Sequence, residues 1–511
     1  MRGCGAPLRA TQTTQAVHPS RRRAQPPQLL RNIHNTCPRS KKLNLPSGQV
    51  TQTTAPSPSK YWPKYEIPQG APQLIYDPKT KTNDPITISW TDELLFVQDG
   101  PDGSPRALKP ATLRDSCTCT ACKDPSSGQK SFASIEISPK IGISSVRATE
   151  SGLGITFSND MARYANHEMI LPWTQLTASP KRPALNPSLK SNILRRTGVQ
   201  YWDAATLAKH VRKIPYSDFM ADGPSFWDVV IDICRLGIVY LKDVPRDEAS
   251  IVNITTRIAN IRETFYGRTF DVRAKPNAEN VAYTSGYLGL HQDLCYLAPP
   301  PMIQVLHCMD NSCSGGESLF SDGERAGRLL WPFVSQGGKM ASLAEHRVPY
   351  QYDKHGYFYH ADRAVIDADE DGFAGVYWSP PFQGGYSANL GRDITDWIEA
   401  ARVFEGLVND ESAVHSYKME EGECVLFDNL RTMHGRNAFD AGKGGSRWLR
   451  GAYIAREDFL SRAAYIPDGQ AEMYRGSEEW TGDRAQGELR DGEWWGDVVR
   501  RVREVDGDVE A

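Results

Sequence analysis

The chain has 511 residues, with 40% hydrophobic and 24% charged, which is enough for a packed core in two or three domains. Its formal net charge of -3 argues against nucleic acid as the main partner, and no apolar run reaches the roughly 18–20 residues that span a bilayer. Ten cysteines are too few for a disulfide scaffold of this length, and three of them crowd together, which points to metal ligation in a reducing compartment.

Residues 1–60 carry ten Lys or Arg and no acid; the first acid is Glu66. Arg-rich, Ser/Thr-rich and acid-free composition predicts a mitochondrial presequence; read instead as a disordered basic tail, it leaves the protein cytoplasmic. Without these residues the net charge falls from -3 to -13. A Pro/Ser/Thr linker follows, "TQTTAPSPSKYWPKYEIPQGAPQ". Residues 72–180 hold short β-type runs ("PQLIY", "ITISW", "ELLFVQ", "SFASIEI", "GITFS", "EMILPW") broken by Gly, Pro, Asn and Asp, which predicts a small β-rich domain. "PKRPALNPSLKSN" reads as a connector to a second domain over 195–468. There "SIVNITTRIANIRETF" predicts a helix before "YGRTF". "DITDWIEAARVFEGLVND" predicts a clearer one, with Ile394, Trp397, Ala401, Phe404 and Val408 at helical spacing and Asp393 near its start. Strands dominate elsewhere: "GIVYLKDV", "MIQVLHCM", "ESLFSD", "ECVLFDN" and "RWLRGAYIA". Residues 469–511 read as a polar surface extension.

Two sets of residues carry chemistry. In "LRDSCTCTACKD", Cys117, Cys119 and Cys122 form C-x-C-x2-C, which can wrap one tetrahedral ion with a fourth ligand from elsewhere. His167 in "RYANHEMILPW" is the candidate, although a single loop histidine is more often not a ligand. In "GLHQDLCYL", His291 and Asp293 stand at i and i+2, so on a strand they point to one face. An iron(II) site of two histidines and one carboxylate needs one more imidazole and leaves positions open. An HxD triplet alone is more often a structural pair. His434, 143 residues after His291, follows the strand-like "ECVLFDN", and the interval is long enough to close a double-stranded β-helix. Arg447 comes 13 residues later. Its guanidinium fork suits a carboxylate, such as the far end of a dicarboxylate co-substrate.

That set, together with "NVAYTSGYLGLHQD", "PPPMIQVLHCM", "SGGESLFSDG", "LFDNLRTMHGR" and "GAY", resembles the iron(II)/2-oxoglutarate-dependent dioxygenases. Within them it is similar to the gamma-butyrobetaine and trimethyllysine dioxygenase branch of the taurine-dioxygenase-like superfamily, over roughly residues 85–465. The resemblance implies a mainly β fold with flanking helices, a double-stranded β-helix (jelly-roll) catalytic domain and a small N-terminal zinc domain. It implies iron on His291, Asp293 and His434, zinc on Cys117, Cys119, Cys122 and His167, and the C5 carboxylate of 2-oxoglutarate on Arg447. It further implies O2 and a small molecule as substrates, ascorbate as a reductant and a homodimer. Tyr266, Phe270, Tyr283 and Tyr453 match an aromatic cage for a trimethylammonium group, and Asn280 suits a substrate with a carboxylate and no amine. Gamma-butyrobetaine, hydroxylated to L-carnitine, is the leading substrate; trimethyllysine or another quaternary-ammonium acid is the alternative, and a non-catalytic sensor is a third reading. Two departures stand out. "VYWSPPFQGG" (376–385) replaces an Asn-Asn pair, and Pro380 and Pro381 have no N–H to offer in its place. "NLR" stands where the branch favours "NWR".

Overall fold

A computed structural model describes residues 65–77, 85–100, 103–177, 193, 197–273, 284–369, 372–386, 393–440, 444–475 and 493–507. The basic first sixty residues and the connector at 180–192 lie outside them. The chain divides into two compact units between residues 182 and 183. Among the described residues no helix is long and apolar enough to cross a membrane.

The first unit is built from antiparallel neighbours in sequence order. Gln73–Tyr76, Ile86–Trp90, Leu95–Asp99 and Arg106–Leu108 make a four-stranded sheet, and Gly142–Ala148, Gly152–Ser158 and Glu168–Pro172 a three-stranded one. Alternating apolar residues of both sheets, including Ile88, Val97, Leu153 and Ile155, bury into one core together with Cys117 and Cys122. The strand expected at "SFASIEI" is instead a 3-10 turn over Ser134–Glu136 that leaves Ile135 93% exposed. The Glu136 carboxylate accepts from the Ala133 N–H at 2.7 Å, and this local bond competes with a sheet ladder.

The second unit has a six-stranded sheet in the order Phe270–Arg273, Arg447–Ile454, Ile303–Asn311, Cys424–Asp428, Ile238–Lys242, Lys213–Pro215. All its neighbours are antiparallel except the last pair. A four-stranded sheet runs Leu288–His291, Thr432–Arg436, Ser318–Asp322, His415–Tyr417. The two meet through Phe320, whose ring lies 5.6 Å from Phe427 and 6.4 Å from Tyr240.

This corrects the expected fold class. Among the described residues the sheets are open, each ending in two edge strands, and none closes into a double-stranded β-helix. Helices carry much of the core, so the fold is mixed α/β. Pro224–Arg235, Glu248–Ile258, Gly323–Val334 and Thr395–Val408 each bury an apolar stripe. Periodicity in sequence identifies strands but not which of their edges pair, and closure depends on the edges.

The predicted helix around Trp397 is present as Thr395–Val408, with Trp397, Ala401, Phe404 and Val408 buried. Asp393 accepts from the Thr395 N–H at 2.9 Å and so steadies its start. The other predicted helix is shorter, Glu248–Ile258, capped by Asp247 accepting from the Ser250 N–H at 2.8 Å. Within the span read as a polar extension, Glu493–Asp506 is a helix that buries Val498 and Val502, and Asp506 accepts from the Lys339 N–H at 2.8 Å.

Behind the four-stranded sheet, Arg431 donates through Nε and Nη2 to Asp322 at 3.1 and 2.6 Å, and to the Gln200 and Arg235 carbonyls. Both side chains are almost fully buried, at 3% and 0% exposure. Asp322 also caps Gly323–Val334 through the Arg325 N–H. Arg431→Met leaves that carboxylate buried without its cation. We expect a loss of about 3–5 kcal/mol, read as a lowered denaturant midpoint; an unchanged midpoint contradicts this account of the pair.

Candidate active site and metal-binding clusters

Leu288–His291 pairs antiparallel with Thr432–Arg436, and His291 lies directly opposite His434. Opposed residues on a pleated sheet share a face, and the two rings sit 4.4 Å apart. The regular strand ends at His291, but the alternation continues one step: the Gln292 side chain turns away to bond Val376 and Trp378, and Asp293 comes back to the His291 face. Leu294, in the left-handed region at φ 59°, then turns the chain. Asp293 Oδ1 is 3.3 Å from His291 Nε2, and Oδ2 is 3.8 Å from His434 Nε2. Adjacent donors on a six-coordinate ion lie about 3 Å apart, so the set suits one divalent cation. All three donor atoms fall within 4.8 Å of one another.

The surroundings hold Asp293 and His434 in the protonation states a metal requires. His291 Nδ1–H donates to the Gly289 carbonyl at 2.8 Å, which turns the Nε2 lone pair toward Asp293. The Tyr453 hydroxyl donates to Asp293 Oδ2 at 2.6 Å. Burial alone would raise the Asp293 pKa; His434, His291 and the Tyr453 hydroxyl outweigh it and hold the carboxyl well below its usual range. Burial, reinforced by His291, pushes the His434 imidazole down to about 3. Near neutral pH the cluster is one carboxylate and a neutral His434, which are metal-binding forms.

Asn429 fixes the backbone at Asp293. Its Oδ1 accepts from the Asp293 N–H at 2.7 Å, and its Nδ2 donates to the Asp293 and Pro301 carbonyls at 3.1 Å each. This residue is the first of "NLR", a segment that stood out in sequence only for its leucine. Gln292, between the two predicted ligands, points the other way and binds residues 376–379.

Arg447 lines the same cavity as the three donors. Its Nε donates to the Gly316 carbonyl at 3.1 Å, and among the described residues no carboxylate pairs with it. Burial, and then Arg436, push its pKa down to about 10. A buried guanidinium without a protein counter-ion favours a bound anion. Gly316, at φ 75°, makes room for it: a Cβ there would lie 3.1 Å from Arg447 Cδ.

The remaining lining mixes aliphatic side chains, such as Leu288, Leu306 and Leu449, with six aromatic ones: Tyr266, Phe270, Tyr296, Phe320, Phe382 and Tyr453. Phe270 and Tyr453 stack at 4.9 Å with planes 20° apart, and Tyr266 lies 5.9 Å from Phe270. They therefore form one continuous wall rather than opposed faces of a box. Tyr266 and Phe270 do not share a helix face either. Tyr266 sits in a tight turn closed by Thr264 and Gly267, and Phe270 begins a strand. Gly451 of "GAY" faces Phe270 across the sheet, and a Cβ there would meet its ring at 2.2 Å. Asn280 and Tyr283 lie outside the described residues. Tyr296 and Phe382 were not singled out in sequence, although Tyr296 lies in the "GLHQDLCYL" stretch and Phe382 in "SPPF".

A family model described as "Taurine catabolism dioxygenase TauD, TfdA family" matches residues 200–453. Dioxygenase str8 of Strobilurus tenacellus is 32% identical over 369 residues, which cover 69% of this chain and 84% of that protein. The chain belongs to the TauD/TfdA dioxygenase family. Trimethyllysine dioxygenase of Neurospora crassa is 26% identical over 429 residues (76% of this chain, 85% of the relative). Gamma-butyrobetaine dioxygenase of Pseudomonas sp. is 26% identical over 389 residues (74% and 92%). The protein is an enzyme, a 2-oxoglutarate-dependent dioxygenase that uses iron(II).

This dioxygenase has a second cluster that could hold a metal, in its first unit: Cys117, Cys119, Cys122 and His167. His167 Nε2 lies 3.3, 3.8 and 3.4 Å from the three sulfurs in that order. Zinc distances at a tetrahedral angle place sulfur and nitrogen roughly 3.5 Å apart. The Cys122 and Lys123 N–H groups both donate to the Cys119 carbonyl at 2.9 Å, curling the loop around the site. Arg114, three positions before Cys117, was missed in sequence. It donates to Cys122 Sγ at 3.3 Å and to Asp160 at 2.7 Å, and lies 4.8 and 4.6 Å from the ring centres of Phe132 and Tyr164.

Partners of a metal ligand typically govern affinity by 10–100-fold. Asn429→Ala removes the two side-chain hydrogen bonds that hold the Asp293 backbone and a third to the Pro301 carbonyl. It is expected to weaken Fe(II) binding by about that factor in anaerobic equilibrium dialysis; unchanged affinity contradicts this role.

Proposed function

We propose that this dioxygenase hydroxylates a C–H bond of a compound carrying a quaternary ammonium group. Gamma-butyrobetaine, giving L-carnitine, and trimethyllysine are the first substrates to try. The observation that carries the reading is the aromatic wall beside the three donors, in a cavity whose only acid among the described residues is Asp293. A trimethylammonium group makes no hydrogen bonds, and ring faces hold it at about 0.5–2 kcal/mol per contact. The relatives named for gamma-butyrobetaine and trimethyllysine support the same class.

His291, Asp293 and His434 would hold the iron, and Arg447 would pair as a fork with the far carboxylate of 2-oxoglutarate. When bound, iron(II) supplies the oxygen chemistry in which 2-oxoglutarate becomes succinate and CO2 and one oxygen atom enters the substrate. Asn429 and Tyr453 keep Asp293 in place, and the aromatic wall orients the substrate and excludes water. Cys117, Cys119, Cys122 and His167 would hold a structural zinc, because four protein ligands close the coordination sphere.

Three measurements test these assignments. After anaerobic loading with Fe(II) and exposure to O2, quaternary-ammonium compounds are expected to raise succinate release above the substrate-free rate. Arg447→Ala is expected to raise the KM for 2-oxoglutarate about 10–100-fold, the worth of a charge-assisted hydrogen bond. Equal succinate release with and without every such compound contradicts the substrate class. Metal analysis of the purified protein should find one zinc that Cys122→Ser loses; a zinc content unaffected by that change contradicts the second site.

A further inference from the structure

In the first unit the donors come from two segments: Cys117, Cys119 and Cys122 from one loop, and His167 from 45 positions beyond Cys122. Arg114 touches both segments. Its Nη1 donates to Cys122 Sγ at 3.3 Å, and its Nε donates to Asp160 Oδ2 at 2.7 Å. The other Asp160 oxygen accepts from the Met161 N–H at 2.8 Å, at the start of the 3-10 turn Ala162–Tyr164 that leads into His167. The His167 N–H donates back to the Tyr164 carbonyl at 2.9 Å. Tyr164 closes the arrangement. Its ring lies 4.6 Å from the guanidinium and meets the His167 imidazole edge-on at 5.7 Å, while its hydroxyl donates to the Ala121 carbonyl at 3.0 Å, between Cys119 and Cys122.

Stability alone does not account for this arginine. The Arg114 and Asp160 side chains are 0% and 1% exposed, and replacing such a buried pair by apolar residues is often neutral or stabilising. The chemistry of the site gives it a use. Three thiolates and a neutral imidazole around Zn(II) leave one net negative charge in a dry core. A charge-assisted N–H on one sulfur draws off part of that charge. The guanidinium is a rigid planar fork, so it serves the sulfur and the carboxylate at once in a fixed geometry, which a lysine ammonium does not.

We propose that Arg114 is the positioning residue of the zinc site: one guanidinium joins the cysteine loop to the His167 segment and hydrogen-bonds the Cys122 thiolate. This rests on the zinc reading above and adds to it the residue that governs affinity and sulfur donation.

The test uses the full chain and two variants. Arg114→Met combined with Asp160→Asn removes the bond to sulfur without leaving a carboxylate buried beside no cation. Arg114→Lys keeps the charge and loses the fork. Zinc affinity is read by competition with a chromophoric chelator. The site is then loaded with Co(II), whose thiolate-to-metal absorption reports on the cysteines alone, since the His291, Asp293 and His434 set has no sulfur. The double variant is expected to bind zinc about 10–100-fold more weakly. Its thiolate band is expected at longer wavelength, because a sulfur that loses a hydrogen bond gives up electron density more readily. Arg114→Lys is expected to fall between it and the wild type. A merely structural role lowers the denaturant midpoint and leaves the affinity and the band of the folded protein unchanged; that result overturns the proposal. So does failure of both variants to fold with zinc supplied, which assigns Arg114 to the fold rather than to the metal. A wild type that binds no zinc and shows no thiolate band overturns the zinc reading as well.

Discussion

The site depends on one strand pairing. Leu288–His291 lies against Thr432–Arg436 with His291 facing His434, and a slip of one residue would send one imidazole to the opposite face. The close approach at this pairing requires a residue without a side chain. A Cβ on Gly435 would lie 2.7 Å from the Leu288 carbonyl oxygen, so the glycine after His434 permits the contact that places the histidine. On its far edge the same strand pairs with Ser318–Asp322, His434 opposite Phe320. His434 is therefore fixed in the interior of a sheet, the most rigid position available for a ligand.

The third donor is held differently. Asp293 lies past the strand end, in a turn whose backbone is clamped by the Asn429 amide and whose carboxylate is oriented by Tyr453. Buried carboxylates are costly unless they are paired or hydrogen-bonded, and here a phenol and two imidazoles surround the charge. The same turn anchors residues 376–379 through Gln292. Through three consecutive residues, His291, Gln292 and Asp293, the donors are thus tied to residues 376–379, which lead into Phe382 on the cavity lining.

Donor chemistry was more legible in the sequence than architecture. Residue type and spacing marked His291, Asp293, His434 and the three cysteines as candidates, the family resemblance completed both sets with His167 as the fourth partner of the cysteines, and the structure brings each set together. The reason offered for the His291–Asp293 pair matches the structure, since Gln292 between them faces the other way, although the regular strand ends at His291. Tyr266 and Phe270, by contrast, approach each other through a turn and a strand rather than along a helix. The closed jelly roll expected from the resemblance is not what the structure shows, and the open sheets were not recoverable from pattern, since strand-forming runs do not state which edges pair. Asn429, Gln292 and Arg114 were missed for a related reason. Their work is to hold a backbone or a ligand from a distance in sequence, and no local period marks it.

The most direct test of this account is an anomalous-scattering map at the iron edge, from crystals grown anaerobically with Fe(II) and 2-oxoglutarate. The account expects one strong peak in the second unit, about 2.0–2.3 Å from His291 Nε2, from an Asp293 oxygen and from His434 Nε2, with a 2-oxoglutarate carboxylate on the Arg447 guanidinium. Iron found only among Cys117, Cys119, Cys122 and His167, or no peak shared by the three residues, would contradict it.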